Sequence, residues 1–207
     1  MLEKIKWLGQ SGFKIITAAG KTIYLDPYKV PAESPLADFI FITHGHFDHF
    51  SPEVIAKIRG EKTQIYCSAE LASKIGGQLK TVKPGDKFAA DGFGVQVVPA
   101  YNINKDFHPK ENNWVGFILE IDGQRIYHAG DTDLIPEMKD LKNIDIALLP
   151  VGGTYTMNWQ EAAEAVKAFA PKMVIPMHYG EAAGSDDDAI NFKQAVGEKV
   201  VILEKEG

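Results

Sequence analysis

The chain reads as an α/β fold, and three observations carry that reading. Short apolar runs bounded by Gly, Pro and Asp recur along it. Helix-type patterns with capping residues lie between such runs in both halves, and no Pro-, Gly- or Ser-rich linker, repeat or low-complexity tract divides the sequence. The expectation is therefore a single domain over residues 1–207. With 45% hydrophobic and 24% charged residues, extended disorder, collagen and coiled coil are set aside.

In chain order, runs at 5–8, 13–16, 22–25 and 39–42 predict strands, punctuated by Gly9, Gly12, Gly20 and Asp26-Pro27. Ser51-Pro52-Glu53 opens a helix with an N-cap, a Pro at the first helical position and an acid in the first turn. That helix is expected to reach about Arg59 and stop at Gly60. A strand at 64–67 and a short helix at 69–75, ended by Gly76-Gly77, follow. Runs at 95–99, 115–121 and 125–128 predict strands, the last two joined by an Asp122-Gly123 hairpin turn. Another buried run occupies 146–150, and Asn158 with Glu161 forms a capping box for a helix to about Ala170, ended by Pro171. A strand at 173–177, a helix at 186–196 and a strand at 200–203 complete the chain.

Net charge is −6, from 22 basic and 28 acidic residues, which disfavours a general nucleic-acid binder. The single cysteine, Cys67, leaves no intrachain disulfide or zinc finger and reads as a buried apolar residue. The amino terminus MLEKIKWLGQSGFKII lacks the apolar segment of a secretory signal. No stretch approaches the roughly 20 apolar residues that span a membrane. A soluble, cytoplasmic protein without membrane insertion is expected.

The segment IFITHGHFDHF places His44, His46, Asp48 and His49 between a buried strand and a capped helix. In extended chain alternate residues point the same way, so His44 and His46 converge while Asp48 and His49 face a second point nearby. Imidazole nitrogen and carboxylate oxygen are ligands for zinc, and also for manganese or iron. Asp131 follows the run ending IYHAG, and His178 follows MVIPM. Ligands of open α/β sheets collect at carboxyl ends of strands, so three strands present metal-type side chains at equivalent positions.

The order HxHxDH, then GDT, then a late His resembles the metallo-β-lactamase superfamily. WLGQSGF, the LDP at 25–27 and YHAGDTD are similar to its branch of predicted metal-dependent hydrolases. That branch is akin to the ascorbate-6-phosphate lactonases and, more distantly, to the phospholipase D acting on N-acyl phosphatidylethanolamines. The resemblance implies a four-layer αβ/βα sandwich with two divalent metal ions at one edge between the sheets. Zn2+ is expected, with Mn2+ or Fe2+ as alternatives. His44 and His46 would hold the first ion, Asp48, His49 and His178 the second, and Asp131 would bridge both. The remaining first-site His of the family should follow VQVVPA, where this chain has Tyr101-Asn102. His108, in the loop NINKDFHPK, folding back is the preferred substitute, because a His beside Pro in a loop has no core role. Asn102 ligating through its amide oxygen, or water filling the gap, is the alternative.

The implied activity is hydrolysis by a metal-bound hydroxide, with Asp48, Asp131 and His108 as catalytic candidates. Asp48 would orient the water or take its proton, and His108 or Tyr155 would protonate the leaving group. The HxExD variant associated with redox di-iron centres is absent, since His46 holds the deciding position. Loops 102–113 and 152–157 are expected to contact substrate. Lys105 and Lys110, flanking His108, suggest a small anionic ester, lactone or phosphodiester. The alternatives are a phosphodiesterase or nuclease on the same scaffold, and a degenerate one-metal or metal-free binding module. His128, Asp26 and Asp133 read as structural or orienting groups, and Trp7, Trp114 and Trp159 as core. The sequence leaves oligomeric state open.

Overall fold

The computed structural model describes residues 1–76 and 78–206, so Gly77, expected to help end a helix, lies outside the described residues. The first sheet has the order β1 (Ile5–Gly9), β2 (Gly12–Ile16), β3 (Thr22–Leu25), β4 (Ala37–Ile42), β5 (Arg59–Ser68) and β6 (Leu79–Val82), with α1 (Pro52–Ile58) between β4 and β5. Its first three strands pair antiparallel, and β3 through β6 pair parallel. The second sheet runs from β7 (Lys87–Ala90) through β8 (Phe93–Pro99), β9 (Val115–Ile121), β10 (Gln124–His128) and β11 (Ile146–Pro150) to β12 (Met173–Met177). Here β7 to β10 are antiparallel and β10 to β12 parallel. Helix α2 (Trp159–Phe169) lies against β11 and α3 (Asp186–Val196) against β12.

The strand ADFIFI of β4 shows how the layers arise. Phe39 and Phe41 enter the core between the sheets, with Phe117 and Leu119 of β9. Ile40 and Ile42 point the other way, into a cluster with Ile55 and Ile58 of α1. A stretch of strand covered on both faces needs apolar residues at every position, hence the unbroken run from Phe39 to Ile42, which begins after the partly exposed Asp38. With α1 outside one sheet and α2 and α3 outside the other, the result is the expected four-layer sandwich.

Local signals hold at the helix starts and the hairpin. Ser51 accepts a hydrogen bond from Val54 N, and Asn158 and Glu161 form the reciprocal capping box. Asp122 and Gly123, with φ of 51° and 73°, make the left-handed turn between β9 and β10.

Three expectations need correction. Helix α1 stops at Ile58, because Arg59 is already extended (φ −87°, ψ 123°) and starts the ten-residue β5. The helix expected at 69–75 is a single 3-10 turn, Ala69–Leu71, whose N-cap Ser68 makes no capping hydrogen bond. The run 200–203 is not a strand: it touches the sheet through one bridge, Val200 to Val174, and the chain then crosses to bridge Trp7 with Lys205.

The topology brings the carboxyl ends of several strands to one edge. β8 and β10 both run antiparallel to β9, so they end on the same side, and β12 ends there with them. β4 of the first sheet meets them at this edge, where Val115 N donates to Thr43 O at 3.4 Å. Gly130 sits at this junction with φ +64°, and a Cβ there would lie 2.8 Å from Val115 O. Only glycine allows the sheets to approach this closely.

Candidate metal centre

The segment after β4 is fixed by a buried carboxylate. Asp26 accepts from Thr43 N and Thr43 Oγ1, each at 2.7 Å, and from His49 Nδ1 at 2.7 Å. Because the Thr43 hydroxyl donates to Asp26, its oxygen is left to accept from His44 Nδ1 at 3.0 Å. Both imidazoles are thereby set with the proton on Nδ1 and the lone pair of Nε2 facing inward. Asp26 is thus the orienting acid that its LDP context suggested. The turn closes as His49 N and Phe50 N both donate to His46 O.

Asp131 leaves the end of β10 immediately after Gly130, and His178 follows β12 in a left-handed conformation, φ +55°. His178 holds this conformation by donating its N–H to Gln10 O at 2.9 Å. Gly152 makes room for it, since a Cβ there would come within 2.2 Å of His178 O. Gln10 also donates from Nε2 to Asp48 Oδ2 at 2.9 Å, a link that no sequence argument assigned. Its place in the WLGQSGF motif was the only available signal.

Asn102 and His108 work together. Asn102 Oδ1 accepts from both the backbone N–H (3.0 Å) and Nδ1 (2.9 Å) of His108. Its Nδ2 donates to Asp133 Oδ1 and Tyr155 O, each at 3.0 Å. All its hydrogen-bonding groups are used on the protein, so Asn102 orients His108 and has no oxygen turned toward the centre. The loop folds back so that His108 stands beside His44 and His46, while the Asn102 amide oxygen is turned to His108.

Two groups of side chains result. His44, His46 and His108 form one, and Asp48, His49, Asp131 and His178 the other, with potential ligand atoms within 4.8 Å of one another in each. Asp131 lies between them. Its Oδ2 is 3.2 Å from His108 Nε2, 3.9 Å from His44 Nε2 and 3.1 Å from His178 Nε2, and its Oδ1 is 3.1 Å from His49 Nε2. All but the half-buried His46 are buried.

Yet His44 Nε2, His49 Nε2, His108 Nε2, His178 Nε2 and Asp131 Oδ1 have no hydrogen-bond partner. Burying that many unsatisfied polar atoms is costly, so their convergence fits a group that the protein atoms do not supply. Nitrogen donors with shared carboxylates suit divalent zinc, manganese or iron.

The fields in the centre are strong. Burial holds His44 well below the usual histidine range, reinforced by the neighbouring imidazoles. For His49, burial opposes charge, but Asp131 and Asp26 outweigh it and raise the group well above that range. Burial likewise opposes ionisation of Asp131, but His178, His49 and His108 bring it well below the usual carboxylate range. His178 reaches about 9 through Asp131 and Asp48, against the cost of its burial.

The remaining candidates separate cleanly. His128 uses both nitrogens on the backbone, donating to Ser11 O at 2.8 Å and accepting from Gly130 N at 3.2 Å, and so supports the Gly130 junction. Trp114 is buried as expected, but its ring faces His44, His46 and His108 at centroid distances of 4.8, 4.9 and 5.4 Å. It walls the first group. Cys67 is buried, which pushes its thiol up to about 12 and leaves it inert. Lys105 pairs with Asp133, and Lys110 with Glu137.

A cavity of about 530 Å³ opens over the two groups. Phe107 and Tyr155 line it, from the two loops expected to contact substrate, but neither Lys105 nor Lys110 does. The anion-binding role suggested for those lysines is therefore corrected: their ammonium groups are spent on neighbouring acids. Tyr28, Lys29, Phe47, Glu181 and Ala182 also line the cavity and were missed. Among the described residues, no helix is long and apolar enough to cross a membrane.

A model of the beta-lactamase superfamily domain matches residues 4–178. A UPF0173 metal-dependent hydrolase of Thermococcus onnurineus is 37% identical, covering 98% of this chain and 96% of its own. One of Pelotomaculum thermopropionicum is 35% identical over 93% of this chain and 91% of its own. Among solved structures, a protein of Parabacteroides distasonis superposes with a TM-score of 0.87 at 36% identity, covering 98% of this chain and 93% of that one. A metallo hydrolase of the archaeon Ignicoccus hospitalis gives a TM-score of 0.83 at 29% identity, covering 98% and 95%. The match over residues 4–178 and these near full-length relatives show that the chain belongs to the metallo-β-lactamase superfamily.

Proposed function

We propose that the protein is a dinuclear metal-dependent hydrolase of a small ester, lactone or phosphodiester. One observation carries this reading: two adjacent groups of ligand-type side chains, with the buried Nε2 atoms of His44, His49, His108 and His178 left without hydrogen-bond partners, meet at a single carboxylate, Asp131. His44, His46 and His108 would hold one divalent ion, Asp48, His49 and His178 the other, and Asp131 would belong to both. Zinc suits this donor set best. When bound, such ions acidify a water molecule and stabilise the negative charge that develops on the substrate.

The chain's own groups then divide the remaining work. Asp26 fixes the tautomers of His44 and His49, and Asn102 that of His108. Asp48, held at Oδ2 by Gln10, is the group placed to orient the water or receive its proton. One ring nitrogen of His108 is taken by Asn102 and the other would be a ligand in the first group, so Tyr155 on the cavity wall is the better donor to a leaving group. The names of the relatives support a hydrolase. His108 in place supports a complete first group over a degenerate binding module.

The test is elemental analysis of protein purified without chelator, beside hydrolysis of a panel of carboxylic esters, lactones and phosphodiesters. Near two ions per chain is expected, with turnover that chelation removes and added zinc restores. One ion or none after reconstitution, or turnover indifferent to chelation, would refute the reading.

A further inference from the structure

We propose that the cavity over the two groups accepts a substrate carrying an uncharged aromatic group, seated among Phe47, Phe107, Tyr155 and Tyr28. The proposal rests on the hydrolase reading and adds the substrate class to it. A single exposed Phe on a surface is ordinary. Here Phe47 is 79% exposed and Phe107 47% exposed, and both face the same cavity as two tyrosines.

Their positions are not accidental to the centre. Phe47 stands between His46 and Asp48, and Phe107 immediately precedes His108, so the backbone that sets the ligand-type residues also sets these rings. Phe107 meets Tyr155 edge-on, at 4.7 Å between centroids and 89° between planes. Aromatic rings favour edge and offset contacts with another ring, and the exposed faces here await one.

The lining is mainly aromatic away from the ligand-type residues. Lys29 is the only Lys or Arg among the lining residues, and its ammonium lies 3.0 Å from Glu181, which Lys205 also pairs. Lys29 is thus held at the cavity rim by its carboxylate partner, and the wall between the rim and the two groups is formed by the rings of Phe47, Phe107, Tyr155 and Tyr28. An uncharged aryl group covers that apolar surface. A volume of about 530 Å³ falls within the ordinary range for small-molecule sites.

The experiment compares phenylphosphonate with methylphosphonate on the zinc-loaded chain by calorimetry. Both present the same acid group, and neither is hydrolysed. Phenylphosphonate should bind tighter by on the order of tenfold. In Phe47→Ala and Phe107→Ala that ratio should fall toward one. Equal affinities in the wild type, or an undiminished ratio in both variants, would overturn the proposal. If neither phosphonate binds, it is the metal reading that fails. The aromatic seat is then judged with 2-naphthol on the same chain by NMR: binding lost in Phe107→Ala supports it, and no binding overturns it.

Discussion

The two groups that meet at Asp131 are built by different means. In the second, Asp131 and His178 leave strand ends directly, and His49 is pinned by Asp26 at the end of β4. Sheet register places them, and all are buried. In the first, only His44 has that support. His46 is half-buried, and His108 arrives from a loop that must fold back onto Asn102. A site at a sheet edge therefore has a part that comes with the fold and a part that depends on one loop holding its shape.

Replacing Asp131 should erase the difference. Its carboxylate touches both groups, so Asp131→Ala should lose most bound metal from each and lower turnover on the order of a thousandfold or more. Elemental analysis and steady-state rates measure both effects. Wild-type metal content in that variant would remove the shared role.

His108→Ala should separate the groups instead. About one ion per chain should remain, held by the second group, and the melting temperature of the metal-free protein should move little. Loss of both ions would mean that the second group does not stand alone.

A finer division comes from the residues that orient the imidazoles. Asp26→Asn removes the acceptor that fixes His49 and, through Thr43, His44, so it reaches both groups. Asn102→Ala releases His108 only. Loss of such an orienting partner typically weakens metal binding on the order of 10–100-fold. Titration of metal-free protein with zinc should show both binding steps weakened in Asp26→Asn and one in Asn102→Ala. Identical profiles for the two variants would contradict the separation.

The legible and illegible parts of this molecule follow from the range of the interactions involved. β4, β9 and β11 are covered on both faces, so their apolar runs announced them. β6 and β7 escaped because LKTV and KFAA are four-residue edge strands with exposed lysines, which suits an edge and hides a strand. The run 200–203 misled for the opposite reason, being apolar without a partner strand along its length. HxHxDH is dense enough within one turn to read directly, and Asp131 and His178 follow from strand ends. The role of Asn102 is different in kind. Its absence of an imidazole was visible, but its four hydrogen bonds reach residues 6 to 53 positions away and exist only once the loops have docked. Tyr28, Lys29 and Glu181 likewise share a cavity through topology alone.

The smallest expected effects concern the two lysines beside His108, and they test the comparison at its weakest member, the loop. The sequence suggested that Lys105 and Lys110 attract an anionic substrate. In the fold Lys110 is exposed and reaches Glu137 and the Tyr101 hydroxyl, away from the cavity. Lys110→Ala should therefore leave both zinc content and phenylphosphonate affinity within about twofold of wild type, as exposed ion pairs contribute little. Lys105 differs, because its partner Asp133 also accepts from Asn102 Nδ2 and Ile103 N. Removing Lys105 leaves that carboxylate less neutralised at the base of the loop, so Lys105→Ala should weaken the first zinc step by a few-fold, less than Asn102→Ala does. A large loss of phosphonate affinity in Lys110→Ala would restore the anion-binding role. A weakened second zinc step in Lys105→Ala would mean that the loop supports both groups, and the contrast between them would have to be given up.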